Sequence, residues 1–172
     1  VKAPSLDFPP HLWDICKGMY AGVDGEKAFK ACFVAPGLFE QCHHLMSIEE
    51  ALMAFYEYPD EMHELIDAIA DWEVELAKGI CENLHPDMLF HHDDWGSQRA
   101  PFFSANTVRE MLAPYLKRIV DSAHKHGMYF ELHSCGQVES LVPVMIECGV
   151  DLWNGQDMND KVKMAQMYGD KI

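Results

Sequence analysis

The chain of 172 residues has the length of about one domain and is long enough to bury a core. It carries 28 acidic against 13 basic residues, a net charge of −15, which argues against nucleic acid and anionic membrane surfaces as partners. No apolar run approaches the roughly 20 residues a membrane helix needs, and the N-terminus shows no basic-then-apolar leader pattern, so a soluble cytoplasmic protein is expected.

In chain order, the first predicted strand is "ACFVAP" (31–36). "CHH", Cys42 to His44, follows in a loop-to-helix stretch and reads as solvated or packing residues. "SIEEALMAFYEYP" opens with a capping box, Ser47 and Glu50, and stops before Pro59. "DEMHELIDAIADWEVELAKGICENL" gathers Met62, Leu65, Ile66, Ile69, Trp72, Val74 and Leu76 on roughly one helical face. "DMLFHHDD" (87–94) is the second strand. "TVREMLAPYLKRIVDSAHKHG" reads as one helix, with Thr107 and Glu110 as its capping box and Gly127 as the residue that ends it. His124 and His126 sit near its C-terminus, where they favour the helix dipole and solvent. "MYFELHS" (128–134) and "VDLWN" (150–154) are the third and fourth strands, and the helices after them end in the same way at Gly149 and Gly169.

Six cysteines, at 16, 32, 42, 81, 135 and 148, form no CxxC pair, and all but Cys135 read as small buried hydrophobes in a reducing compartment. Strands alternating with helices imply parallel pairing through right-handed crossovers. The strands are apolar on both faces at their starts, as when helices cover a sheet. No linker divides residues 1–172, so a single domain is expected. After Gly169 the chain reads "DKI" where a fifth strand should begin, whereas a closed (β/α)8 TIM barrel takes about 250 residues. The fold class expected is therefore α/β, a partial (β/α)8 barrel, with open sheet edges that favour self-association into a homo-oligomer.

In such folds functional groups collect at the carboxyl ends of the strands. The second strand ends in His91, His92, Asp93 and Asp94, followed by Gln98 and Arg99; the third in His133, Ser134 and Cys135; the fourth in Asn154 and Gln156. In an extended segment the side-chain period is two, so His133 and Cys135 point to one side. An imidazole and a thiol there supply half of a zinc site, the third ligand coming from Asp93, Asp94, His91 or His92; a buried histidine beside a packing cysteine is the alternative. Of the adjacent carboxylates Asp93 and Asp94, only one can face the mouth as acid, base or ligand. The other is expected to cap a turn or helix. Gln98, Asn154 and Gln156 are candidates for holding substrate.

"GLFEQCHHLMSIEEALMAFYEYPDEMHELID", "HHDDWGSQRAPFFS" and "AHKHGMYFELHSCGQVESLVPVMIECGVDLWNGQ" resemble the uroporphyrinogen decarboxylase superfamily, and within it most of all the corrinoid-dependent methyltransferase branch. The likeness runs from about Phe33 to the C-terminus, and "DDWGSQ" and "HSCG" are its specific parts. It implies a (β/α)8 barrel. It also implies zinc held by an HxC pair, here His133 and Cys135, and by a later cysteine lying beyond Ile172, for which Cys148 is not in the matching place. In that branch the zinc binds an acceptor thiol such as coenzyme M. The methyl group comes from a methyl-corrinoid on a separate corrinoid protein, and related systems use tetrahydrofolate as acceptor. The decarboxylase itself is the rival. It holds a substrate of eight carboxylates with arginines and uses an aspartate without metal, whereas this chain offers only Arg99, Arg109 and Arg118 under a charge of −15. A non-catalytic barrel fragment is the third reading.

Overall fold

A computed structural model describes residues 3–172. Four strands, β1 (Ala31–Val34), β2 (Met88–His92), β3 (Tyr129–Ser134) and β4 (Leu152–Gly155), pair in parallel in the order β1-β2-β3-β4. Around them run α1 (Pro10–Tyr20), α2 (Leu38–Met46), α3 (Ile48–Glu57), α4 (Pro59–Leu84), α5 (Ala105–Met111), α6 (Ala113–Lys125), α7 (Val142–Glu147) and α8 (Lys161–Tyr168). Consecutive strands that are neighbours in space, each joined by helical crossovers, make this a partial (β/α) barrel, as the sequence leads one to expect.

The two faces of the sheet differ. On the outer face Leu89, His91, Phe130, Leu132 and Ser134 are buried. The core lies there, with Leu38, Phe39, Ile66, Leu116 and Ile119 of the helices fully enclosed. On the inner face Phe33, Tyr129 and Leu152 remain 59%, 55% and 41% exposed. Helices clothe one side only, and the apolar residues of the other face the barrel interior, where a strand is apolar without a helix against it.

Local chemistry explains the helix ends. Ser47 caps α3 by accepting from Glu50 N at 3.3 Å, as its spacing implies. The stretch 107–127 is not one helix. It breaks at Leu112, because the ring of Pro114 cannot follow an unbroken turn but fits the first turn of α6. The cap is Ser104, whose hydroxyl accepts from Thr107 N at 3.1 Å, so Thr107 and Glu110 are not the capping pair. Gly127 and Gly149 are left-handed, at φ +80° and +84°. Gly169 is right-handed at φ −66°, because the chain winds on, with Lys171 N and Ile172 N both reaching Tyr168 O. A 3-10 turn, Glu139–Leu141, precedes α7 because Pro143 again claims a first turn. Helices α1 and α2 have no counterpart in the sequence reading. Among the described residues no helix is long and apolar enough to cross a membrane.

The turn after β3 is the tightest point of the fold. Gly136 has φ +87°, and a Cβ there would lie 2.3 Å from the Gly96 carbonyl carbon. Only glycine lets the loops after β2 and β3 touch backbone to backbone. Gly136→Ala should cost about 2–4 kcal/mol, since left-handed strain and a main-chain clash act together. Urea melts of the full-length protein check this, and an unchanged midpoint would contradict it.

Candidate functional site

The end of β2 sends alternate side chains to opposite layers. Asp93 turns outward and is 1% exposed. Its carboxylate accepts from Phe39 N (3.1 Å), Glu40 N (2.9 Å) and Trp95 Nε1 (2.8 Å). Two of these donors are first-turn amides of α2, so Asp93 caps that helix from 53 and 54 residues away. Close approach requires Gly37, where a Cβ would sit 2.5 Å from that of Asp93 and 2.7 Å from the His91 ring. The expected catalytic role of Asp93 is accordingly corrected: the structure buries it in the helix layer, on the side away from the mouth. His91 is buried beside it, its Nε2 2.7 Å from Glu73 of α4. Glu73 in turn accepts from Gln41, whose amide also donates to Pro36 O.

His92 and Asp94 turn inward. Strand register aligns His92 with His133 and with Asn154. Ligand atoms of His92, Asp94, His133 and Cys135 all lie within 4.8 Å of one another. The two imidazoles stack at 4.8 Å with 14° between their planes. His133 Nε2 is 3.4 Å from Cys135 Sγ, and its Nδ1 is 3.2 Å from Asn154 Oδ1. Asn154 is oriented by donating its Nδ2 to Glu131 at 3.0 Å. His92 Nδ1 is 2.7 Å from Glu40, and its Nε2 is 3.5 Å from Asp94 Oδ1. Asp94 Oδ1 also accepts from Cys135 N at 2.6 Å. Gln156 closes the cluster, donating to Cys135 Sγ at 3.2 Å and accepting from Gly136 N at 2.9 Å.

Thus Asp94, His133, Cys135, Asn154 and Gln156 are brought together, while Gln98 lies exposed in the loop after β2. Sequence reasoning missed Glu40, whose helix it did not foresee. His92 was one of four alternatives, and period-two spacing with Asp94 was the signal that could have singled it out. Cys148 is elsewhere, buried, and donates to Ala113 O at 3.6 Å. Cys42 is core, while His124 pairs with Asp151 and His126 bonds Ser122 O. Arg109 and Arg118 pair on the outer helices with Glu147 and with Asp67 and Asp71.

The electrostatics ask for a cation. Burial, and then the Asp94 and Glu40 carboxylates, push the Cys135 thiol up to about 11. A divalent ion would reverse that, because coordination favours thiolate. Bond lengths of about 2.0–2.1 Å to nitrogen and about 2.3 Å to sulfur put the two donors about 3.5 Å apart on a zinc tetrahedron. The 3.4 Å between His133 and Cys135 fits that edge. Nitrogen and sulfur donors together suit zinc rather than magnesium or calcium.

The family model described as uroporphyrinogen decarboxylase (URO-D) matches residues 4–172. The chain belongs to the uroporphyrinogen decarboxylase family. No curated protein and no solved structure matches it. The match spans all four strands of this URO-D family chain and every residue of the cluster, so the site lies within the family's own barrel segment.

Behind the site, burial works most strongly to lower the His91 pKa, but the carboxylates of Glu73, Asp93 and Glu40 together outweigh it, so the net shift is upward. A raised folded-state value means stability present in full below the unfolded pKa of about 6.5 and lost as pH rises through the higher folded value. Asp93 is held up to about 6 by burial, so its titration adds a loss of the same sign at the lower edge of this window. Above pH 6.5, unfolding free energy should therefore fall by up to about 1.4 kcal/mol per pH unit. His91→Gln should flatten this slope in urea melts between pH 6.5 and 9. An equal slope in both proteins would count against the pair.

Proposed function

We propose that this chain carries the methyl-transfer site of a corrinoid-dependent methyltransferase, with zinc held by His133 and Cys135. The observation that carries the reading is the 3.4 Å approach of His133 Nε2 to Cys135 Sγ at the carboxyl end of the sheet. The donor is a methyl-corrinoid presented by a separate corrinoid protein, and the acceptor is a small thiol or, in the related reaction, tetrahydrofolate. When bound, zinc supplies Lewis-acid lowering of the acceptor thiol pKa, so that sulfur is nucleophilic at neutral pH.

The chain's own residues do the rest. Asn154 fixes the His133 ring with Nε2 toward the mouth, and Gln156 donates to Cys135 Sγ, favouring its anionic form. Asp94 holds the Cys135 backbone and stands where the acceptor thiol would lose its proton, which it accepts. The acceptor sulfur then attacks the methyl carbon. A carbon–sulfur bond forms, the cobalt–carbon bond breaks, and its electron pair stays on cobalt. Asp93 plays no part in these steps, being held against α2. Support also comes from charge: among the described residues Arg109 and Arg118 are paired on the outer helices rather than turned to the cluster, where a substrate of eight carboxylates would need them.

Full-length protein should contain one zinc by elemental analysis. His133→Ala and Cys135→Ser should each lose most of it. Methyl transfer from methylcobalamin to a thiol should fall at least about 100-fold with the metal, the scale of lost electrostatic stabilisation. Melting temperature should move little, because a catalytic zinc does not hold a barrel together. Metal-free wild type that turns over a porphyrinogen, indifferent to Cys135→Ser, would establish the decarboxylase instead.

A further inference from the structure

We propose that His92, held by Glu40, is the third protein ligand of the metal, so that two imidazoles and one thiolate come from residues 92–135 alone. This rests on the zinc reading above and gives the third position, which the family resemblance assigns to a cysteine beyond Ile172, to an imidazole of β2 outside the HxC motif.

The starting point is the contact that orients the His92 ring. Glu40 Oε2 lies 2.7 Å from His92 Nδ1, so that nitrogen carries the hydrogen. In the neutral imidazole Nε2 is then a bare lone pair. It faces Asp94 Oδ1 at 3.5 Å, and that oxygen already accepts the Cys135 N–H at 2.6 Å. With that tautomer Nε2 is free to ligate, and it lies with ligand atoms of Asp94, His133 and Cys135 all within 4.8 Å of one another.

His133 has the same construction. Asn154 presents its oxygen to Nδ1, and the amide cannot be reversed without losing its bond to Glu131. Both rings are thus pinned through Nδ1 and offer Nε2, the outer-shell arrangement that orients metal-bound histidines. They stand on adjacent strands in one rung of the sheet, stacked at 4.8 Å. Cys135, two residues beyond His133, adds sulfur on the same side. Three donors from two neighbouring strands, with ligand atoms within 4.8 Å of one another, would supply three of the positions of a zinc ion, and a catalytic zinc keeps a fourth for substrate. Asp94 is left out of the ligand set, since its Oδ1 holds the Cys135 main chain, and Glu40 is the positioning residue for His92.

Zinc and cobalt(II) affinities, measured by chelator competition on the full-length protein, test this together with the cobalt d–d spectrum. His92→Ala should weaken zinc at least about 100-fold and shift the d–d bands. Glu40→Gln should weaken it about 10–100-fold, the usual cost of losing an outer-shell partner. Asp94→Asn should stay within about threefold of wild type, because it keeps the Oδ1 acceptor. Circular dichroism of His92→Gln, close in size to the native residue, separates ligand loss from misfolding, and the same fall in affinity is expected there. Zinc that is lost in Cys135→Ser but retained with wild-type affinity and spectrum in both His92 variants overturns this inference and leaves the zinc reading standing. That result would make His92 a structural link between Glu40 and Asp94. A wild type that binds neither ion overturns both.

Discussion

Asp93 fastens the first turn of α2 to the end of β2, and the rest of the site depends on that fastening. Three donors converge on one buried carboxylate, two of them helix amides that have no partner within their own helix. Charge at a helix N-terminus gains further from the helix dipole, up to about 2 kcal/mol in partly buried settings. The same contact fixes where Glu40 stands. Its amide bonds Asp93 on the outer side, while its carboxylate reaches His92 on the inner side. One residue of α2 thus carries the constraint from the core to the mouth.

A second polar group in the helix layer, His91 with Glu73, lies directly behind this clamp. Buried pairs of this kind contribute little net stability, because desolvation offsets most of their attraction. What they supply is geometry. Glu73 also engages Gln41, and Gln41 the Pro36 carbonyl, so that α4, α2 and the chain after β1 are all referenced to β2. The inner face is organised by opposite means. There, half-buried side chains meet, and two carboxylates stand beside two imidazoles and a thiol. Among the described residues the buried outer face leaves His91 Nδ1 and Trp153 Nε1 without partners.

The strands, the carboxyl-end clustering and the split between Asp93 and Asp94 were legible in the sequence, because period two and the parallel topology leave few choices. Ser47 with Glu50, Gly127 and Gly149 were legible as punctuation for the same local reasons. The break at Leu112 was written in Pro114 but overridden by the longer apolar pattern around it. Helix α2 was hidden because its cap comes from another strand, and Glu40 with it. The partnership of His92 with His133 needs the register of β2 against β3, which no single strand encodes. Long-range register is what short sequence patterns lack.

Because neighbours in His91–Trp95 serve opposite layers, that stretch is constrained in length more tightly than in composition. His91 and Asp93 face the helices, His92 and Asp94 the mouth, and Trp95 returns its indole to Asp93. A conservative replacement at any one place disturbs one contact. A single inserted or deleted residue exchanges the layers, pointing core groups at the mouth and donors into the core at once. Between the start of β2 and Gly96, a change in the number of residues is therefore costlier than a change in any one of them.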